Sequence, residues 1–198
     1  MPYSLDDIER AVGVLRDGGV ILYPTDTIWG IGCDAANEDA VRRVFEIKQR
    51  DDSKALILLT DRTERLREYV DMPEEVFDSV TAFLQENGDK PTTIIYPRVK
   101  NIPFFLRAID GSVGIRVTQE VFSGELCARL GRPLVSTSAN VSGQKSPQCF
   151  AEIDKQIVSR ADYVCRYRQG DTTRAEASRI LRLDLRDDGE YVFTIIRD

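Results

Sequence analysis

The chain has no histidine. That absence excludes Ser-His-Asp and Cys-His nucleophile systems and any metal site that needs imidazole. Chemistry here must run on Lys, Arg, Asp, Glu, hydroxyls and backbone amides. Cysteine is scarce. Cys33, Cys127, Cys149 and Cys165 are scattered, with no C-x-x-C pair, so neither a zinc site nor a disulfide framework is suggested. They read as reduced, mostly buried thiols. No apolar run approaches the ~20 residues a membrane helix needs. The N-terminus, M-P-Y-S-L-D-D-I-E-R, is acidic and amphipathic, unlike a signal peptide. The expectation is a cytoplasmic protein with no membrane association. A G-x-x-x-x-G-K phosphate loop is also absent.

What is present fits one soluble domain spanning residues 1–198. The length suits a single core, and 42% hydrophobic with 30% charged residues is ordinary for a globular chain. The net charge of −6 argues against a globally basic nucleic-acid binder. Cations nevertheless cluster, at Arg42, Arg43, Lys48, Arg50 and Lys54, and again from Arg160 to Arg182. Local basic stretches in an acidic protein suit a small anionic ligand, although a solvated helix face gives the same pattern.

Helices and strands mix throughout. Ser4–Leu15 reads as a helix with Ser4 as cap and Asp7 at the capping-box position. Further helices are expected at Asn37–Lys48, Asp61–Val70, Pro73–Gln85, Val121–Leu130 and Phe150–Ser159. Strands are expected at Val20–Tyr23, Ala55–Leu59, Pro91–Tyr96 and Ser112–Val117, from Pro133, and late at Asp162–Cys165, Ser178–Leu183 and Tyr191–Ile196. The polar stretch between the first two late strands reads as a mobile loop. The late strands have no helices between them. The pattern therefore predicts an α/β fold with a twisted mixed sheet and flanking helices rather than a regular doubly wound one.

Chemistry concentrates at strand ends. The strand beginning at Pro133 passes into S-T-S-A-N-V-S-G-Q-K-S-P (136–147), rich in hydroxyl and amide groups. Open α/β sheets bind ligands in that position. T-D-T (25–27) follows Val20–Tyr23 in the same way, and Gly30 and Gly32 allow a close backbone approach. Lys48 and Arg50 sit in a helix-to-strand connection, where the helix dipole alone would also favour them. Arg116 interrupts an apolar strand. It either faces solvent on an edge or enters an anion site, for which its fork is suited. Many hydroxyls and several cations without a nucleophile suggest nucleotide chemistry, where positioning and charge neutralisation dominate.

The segments Y-P-T-D-T-I-W-G-I-G-C-D-A (23–35), K-Q-R-D-D-S-K-A-L-I-L-L (48–59), P-T-T-I-I-Y (91–96), V-G-I-R-V (113–117) and P-L-V-S-T-S-A-N-V-S-G (133–143), with Ser146-Pro147, resemble the YrdC-like threonylcarbamoyl-AMP synthase family. The resemblance runs from about residue 5 to the C-terminus, and K-x-R with S-x-N in this order and spacing is its specific part. It implies a large basic cleft in the twisted sheet. It also implies a nucleotidyltransferase that makes threonylcarbamoyl-adenylate and pyrophosphate from ATP, bicarbonate and L-threonine, for the t6A modification of tRNA. By position, Thr25, Arg116 and Ser178 would bind threonine. Lys48, Arg50, Thr93, Ser136, Ser138, Asn140, Ser146 and Arg197 would hold ATP, with Lys48 and Arg50 catalytic. Mg2+ would arrive with ATP, and tRNA or double-stranded RNA and t6A-modification proteins are the implied partners. The alternative is a non-catalytic, double-stranded RNA- or nucleotide-binding module of the same fold. A carbamoyl-transfer domain, usual within much longer chains, is a further rival. The chain departs from the family pattern at Asp26, where Glu is usual, at Asp89-Lys90-Pro91 for P-G-P, and at Ala177-Ser178-Arg179 for P-S-T. Ending at Asp198, it is expected to be a single-domain member without the C-terminal domain and interdomain lid of longer relatives.

Overall fold

The computed structural model describes residues 3–49, 56–186 and 190–198. Nine strands form one mixed sheet in the order β7-β1-β2-β6-β3-β5-β4-β8-β9. They are β1 (Ile21–Tyr23), β2 (Gly30–Asp34), β3 (Ile57–Thr60), β4 (Thr92–Tyr96), β5 (Val113–Val117), β6 (Leu134–Ser138), β7 (Tyr163–Val164), β8 (Arg179–Leu185) and β9 (Tyr191–Arg197). Pairings β1–β7, β3–β5 and β4–β8 are parallel and the rest antiparallel. The expected mixed sheet is therefore the one found.

Side-chain alternation splits the core into two layers. Leu22, Ile31, Cys33, Leu58, Ile94, Ile115, Val135 and Leu181 share one cluster. Residues of α2 (Glu38–Lys48) and α4 (Glu74–Glu86) pack into it. Ile21, Tyr23, Leu59 and Leu134 point the other way, onto α1 (Leu5–Arg16) and α5 (Val121–Leu130). By the same alternation Gly30, Ile57, Thr93, Gly114, Arg116, Ser136, Ser138 and Ile180 also belong to this second face. Most of them lie beyond the cluster that α1 and α5 cover. The part left uncovered is where a ligand can reach the sheet.

Three expectations about local structure need correction. Asp7 does not close a capping box, and Ser4 makes no side-chain cap bond. The Asp7 carboxylate is buried. It accepts from Tyr163 Oη at 2.7 Å and from the backbone N–H groups of Arg166 and Tyr167 at 2.9 Å each, so it ties α1 to the end of β7. A short carboxylate one turn into a helix serves a tertiary partner when three donors converge on it. Phe150–Ser159 is not one helix. A 3-10 turn at Phe150–Glu152 is followed by extended Ile153, and Asp154 then caps α6 (Lys155–Arg160) through Gln156 N–H. Asp61–Val70 divides likewise into a 3-10 turn, Thr63–Arg65, and the single turn α3, Leu66–Tyr69. Asp7→Asn removes the charge but keeps the shape. It should cost about 1–2 kcal/mol, the scale of a weakened charge-assisted bond, and a thermal melt reads this directly. An unchanged melt would show that the Asp7 contacts contribute nothing net.

The stretch 166–177, expected to be mobile, is irregular but tied at several points. Arg168 donates to the Thr25 carbonyl at 3.0 Å and pairs with Asp171. Gln169 donates to the Cys165 carbonyl, and Arg174 to the Gln148 side chain. The polar side chains read as the mark of a mobile loop instead supply bonds that fasten a segment lacking regular structure. All four cysteines are free, three of them buried. Burial raises the Cys33, Cys127 and Cys165 thiols, so they stay protonated at neutral pH.

Candidate active site

A cleft of about 240 Å3 opens on the uncovered sheet face. Thr25, Thr93, Arg116, Ser136, Ser138, Ser146, Ser178 and Arg197 line it, so eight of the predicted site residues meet in one place. They come from six strands or strand ends far apart in sequence. Register explains the gathering. Gly30 pairs with Ser138 and Gly32 with Ser136, while Leu59 pairs with Arg116. Paired residues face the same side of a sheet. The glycines keep the floor low, since a Cβ on Gly30 would lie 3.2 Å from the Tyr23 ring and 3.3 Å from Ser136 Oγ.

Arg116 is the deepest charge in this wall. β5 lies between β3 and β4, so the solvent-edge alternative is ruled out. The Arg116 and Asp26 side chains are 4% and 7% exposed, with Nη2 3.1 Å from Oδ1. Asp26 also accepts from Gln119 N–H at 3.3 Å. The pairing leaves Arg116 incomplete, because Nε is buried and has no partner among the described residues. Guanidinium N–H groups are rarely left so, and this one lies in a residue that lines the cleft.

On the neighbouring strand β4, Thr93 Oγ1 lies 2.9 Å from Ser178 Oγ, and both are buried. Arg197 donates through Nε and Nη2 to the Ser178 carbonyl, at 3.1 and 2.6 Å. Its guanidinium thus holds β9 to the start of β8 as well as lining the cleft. Arg116 and Arg197 are the cations of the described lining, and hydroxyls outnumber them. The large basic cleft remains an expectation. Arg50 belongs to 50–55, outside the described residues.

Lys48 and Asn140 lie behind the lining. Lys48 is 1% exposed, and its ammonium donates to the Ser138 carbonyl and, at 2.8 Å, to that of Asn140. Its own carbonyl accepts from Ser142 N–H at 2.8 Å. Lys48 therefore reaches across to the β6 loop rather than merely completing its own helix terminus. The Asn140 amide nitrogen donates to the Val141 and Gln144 carbonyls, and its Oδ1 is buried without a partner among the described residues.

Sequence reasoning passed over part of the wall. Thr27, Trp29, Ile57 and Ile180 line the cleft beside the expected residues. The period-2 pattern could have found Ile57 and Ile180, which alternate with the core residues Leu58 and Leu181. Metal ligation finds no support, since no group of three or more acidic or cysteine ligands occurs among the described residues. Nor is any helix of those residues long and apolar enough to cross a membrane.

The chain is similar to known proteins in sequence and in fold. A threonylcarbamoyl-AMP synthase from Pseudoalteromonas translucida (strain TAC 125) is 38% identical over 156 residues, 79% of this chain and 83% of its own length. The crystal structure of E. coli YciO superposes with a TM-score of 0.79 at 25% identity, covering 96% of this chain and 88% of that one. P. abyssi Sua5 complexed with L-threonine shares the fold at a TM-score of 0.76 and 24% identity, over 89% of this chain and 50% of that one. The family model Sua5_yciO_yrdC, described as telomere recombination, matches residues 13–197. That span takes in every described strand and every residue of the described cleft lining, and on it the chain belongs to the Sua5/YciO/YrdC family.

Proposed function

We propose that this protein is an L-threonylcarbamoyladenylate synthase that serves tRNA t6A modification. The observation that carries the reading is Arg116, a buried and half-paired guanidinium in the wall of a hydroxyl-lined cleft. A carboxylate that also carries hydrogen-bonding groups is the natural partner for such a site. Similarity to a named synthase over most of both chains supports threonine as that ligand. The reaction joins the threonine amine to the carbon of bicarbonate, whose hydroxyl oxygen leaves as water with a proton from the amine. An oxygen of the resulting carbamate bonds to the α-phosphorus of ATP as pyrophosphate leaves. No protein nucleophile is required, in keeping with a chain that lacks histidine and whose buried thiols stay protonated. In this reading Arg116 and Ser178 hold the amino acid, and Thr25 builds the turn beside them. Lys48, Arg50, Ser138, Asn140, Ser146 and Arg197 hold or frame the nucleotide, beside Thr93 and Ser136. Mg2+ would ride on the triphosphate, since the described lining has hydroxyls and cations but no carboxylate.

The arginine-rich stretch bears on the RNA-binding alternative. Arg166 pairs with Asp6, Arg168 with Asp171, Arg174 with Glu152, and Arg182 with Asp110 and Asp184. Cations neutralised locally make a weak phosphate track, which favours the enzymatic reading. Incubation with ATP, labelled bicarbonate and L-threonine should release pyrophosphate only when all three are present. Release indifferent to threonine would reject the substrate assignment, and an absence of nucleotide binding would favour the non-catalytic module.

A further inference from the structure

The hydroxyls of Thr25 and Thr27 have a fixed polarity. Thr25 Oγ1 lies 2.8 Å from the Ile28 carbonyl oxygen, 2.9 Å from Thr27 Oγ1 and 3.0 Å from the Thr27 backbone nitrogen. A carbonyl cannot donate and a backbone N–H cannot accept. The single Thr25 hydroxyl hydrogen therefore goes to Ile28, and its oxygen accepts from Thr27 N–H. Between the two hydroxyls the only hydrogen left to share belongs to Thr27. Thr27 donates to Thr25, and Thr25 is then saturated. Its hydroxyl builds the turn and has no hydrogen left for a ligand.

Thr27 is left in the complementary state. Its hydrogen is committed, but its oxygen lone pairs have no partner among the described hydrogen bonds. The residue is 8% exposed, against 2% for Thr25, and it lines the same cleft as Arg116. Towards the cleft it can act only as an acceptor. Arg168, which grips the Thr25 carbonyl at 3.0 Å, holds the turn in this arrangement from outside.

We propose that Thr27 is a specificity-determining residue whose hydroxyl accepts a hydrogen bond from a donor group of the bound amino acid, opposite the carboxylate held by Arg116. The donor is the ligand's ammonium or its side-chain hydroxyl, since both present hydrogens. The proposal rests on the reading of the cleft as an amino-acid site. An acceptor-only group rejects ligands that lack the matching donor, because it would be buried unpaired against them.

The test is calorimetric titration of wild type, Thr27→Val and Thr27→Ser with L-threonine, L-2-aminobutyrate (no hydroxyl) and 3-hydroxybutyrate (no amine). Thr27→Val should bind L-threonine about tenfold more weakly, the scale of one lost hydrogen bond, and melt slightly lower because its bond to Thr25 is lost as well. Thr27→Ser should stay near wild type. The analogue that wild type and Thr27→Val bind equally lacks the group that Thr27 recognises. If Thr27→Val fails to fold, Thr27→Ala removes the same oxygen without adding a methyl group in its place. Undiminished threonine binding by the folded variant, or an equal loss for all three ligands, would overturn the proposal. A wild type that binds no threonine would instead remove the amino-acid reading beneath it.

Discussion

Arg116→Lys should fold and yet bind L-threonine roughly 10- to 150-fold more weakly, corresponding to the ~1.5–3 kcal/mol of hydrogen bonds to charged groups. The reason lies in which atom is available. One arm of the guanidinium lies against the buried Asp26 carboxylate, while Nε has no partner among the described residues. Lysine keeps a positive charge beside Asp26, so the buried carboxylate is not abandoned and the fold survives. It cannot face Asp26 with one nitrogen and a ligand with another held in the same plane. The substitution thus separates charge from geometry. Threonine affinity equal to wild type in calorimetry would mean that Arg116 serves only as a counter-ion to Asp26. A collapsed melting temperature would mean that the pair is chiefly structural.

Lys48→Ala should lower both stability and turnover. Helix-dipole complementation alone would cost roughly 0.3–1 kcal/mol and spare the chemistry. A phosphate ligand alone would spare the fold. The geometry matches neither extreme. The ammonium is buried and donates to the Ser138 and Asn140 carbonyls, in the loop whose Ser138 and Ser146 line the cleft. Removing it takes a charge-assisted bond from each of two part-buried carbonyls, although that of Ser138 still accepts from Asn140 N–H at 2.9 Å. At ~1.5–3 kcal/mol for each charge-assisted bond the loss is about 3–6 kcal/mol. For a chain of this size that lowers Tm by roughly 6–24 °C. The same loop then loses its placement, and displacements near 1 Å at a site cost on the order of 100-fold in rate. Melting and pyrophosphate release measured on one preparation decide the matter. A normal melt with lost turnover would make Lys48 a direct ligand of the nucleotide, and a lowered melt with normal turnover would make it structural alone.

Much of this protein was legible in the chain. Short apolar runs closed by Pro24, Pro97 and hydroxyl loops marked the strands, because two-residue periodicity and turn residues are local properties. Arg116 stood out since a cation in an apolar strand has few physical explanations. The T-D-T and S-T-S-A-N segments were visible as polar strand ends. Tertiary structure decided the rest. Whether Arg116 faced solvent depended on the rank of β5 in the sheet, which no local pattern encodes, and a central rank made it a buried charge. Asp7 looked like a cap because Ser4 stood three residues before it, yet its partners come from residues 163–167. Lys48 looked like a dipole partner or a phosphate ligand, and its acceptors lie some ninety residues away in sequence. Gly32 suggested a close approach without saying to what. A Cβ there would fall 2.0 Å from the Val135 carbonyl oxygen, so the neighbour it admits is the β6 backbone. Residue type fixes what a group can donate, accept or bury, and local spacing fixes its face. Which group it meets depends on long-range strand pairing, and that emerges only when the whole chain has packed.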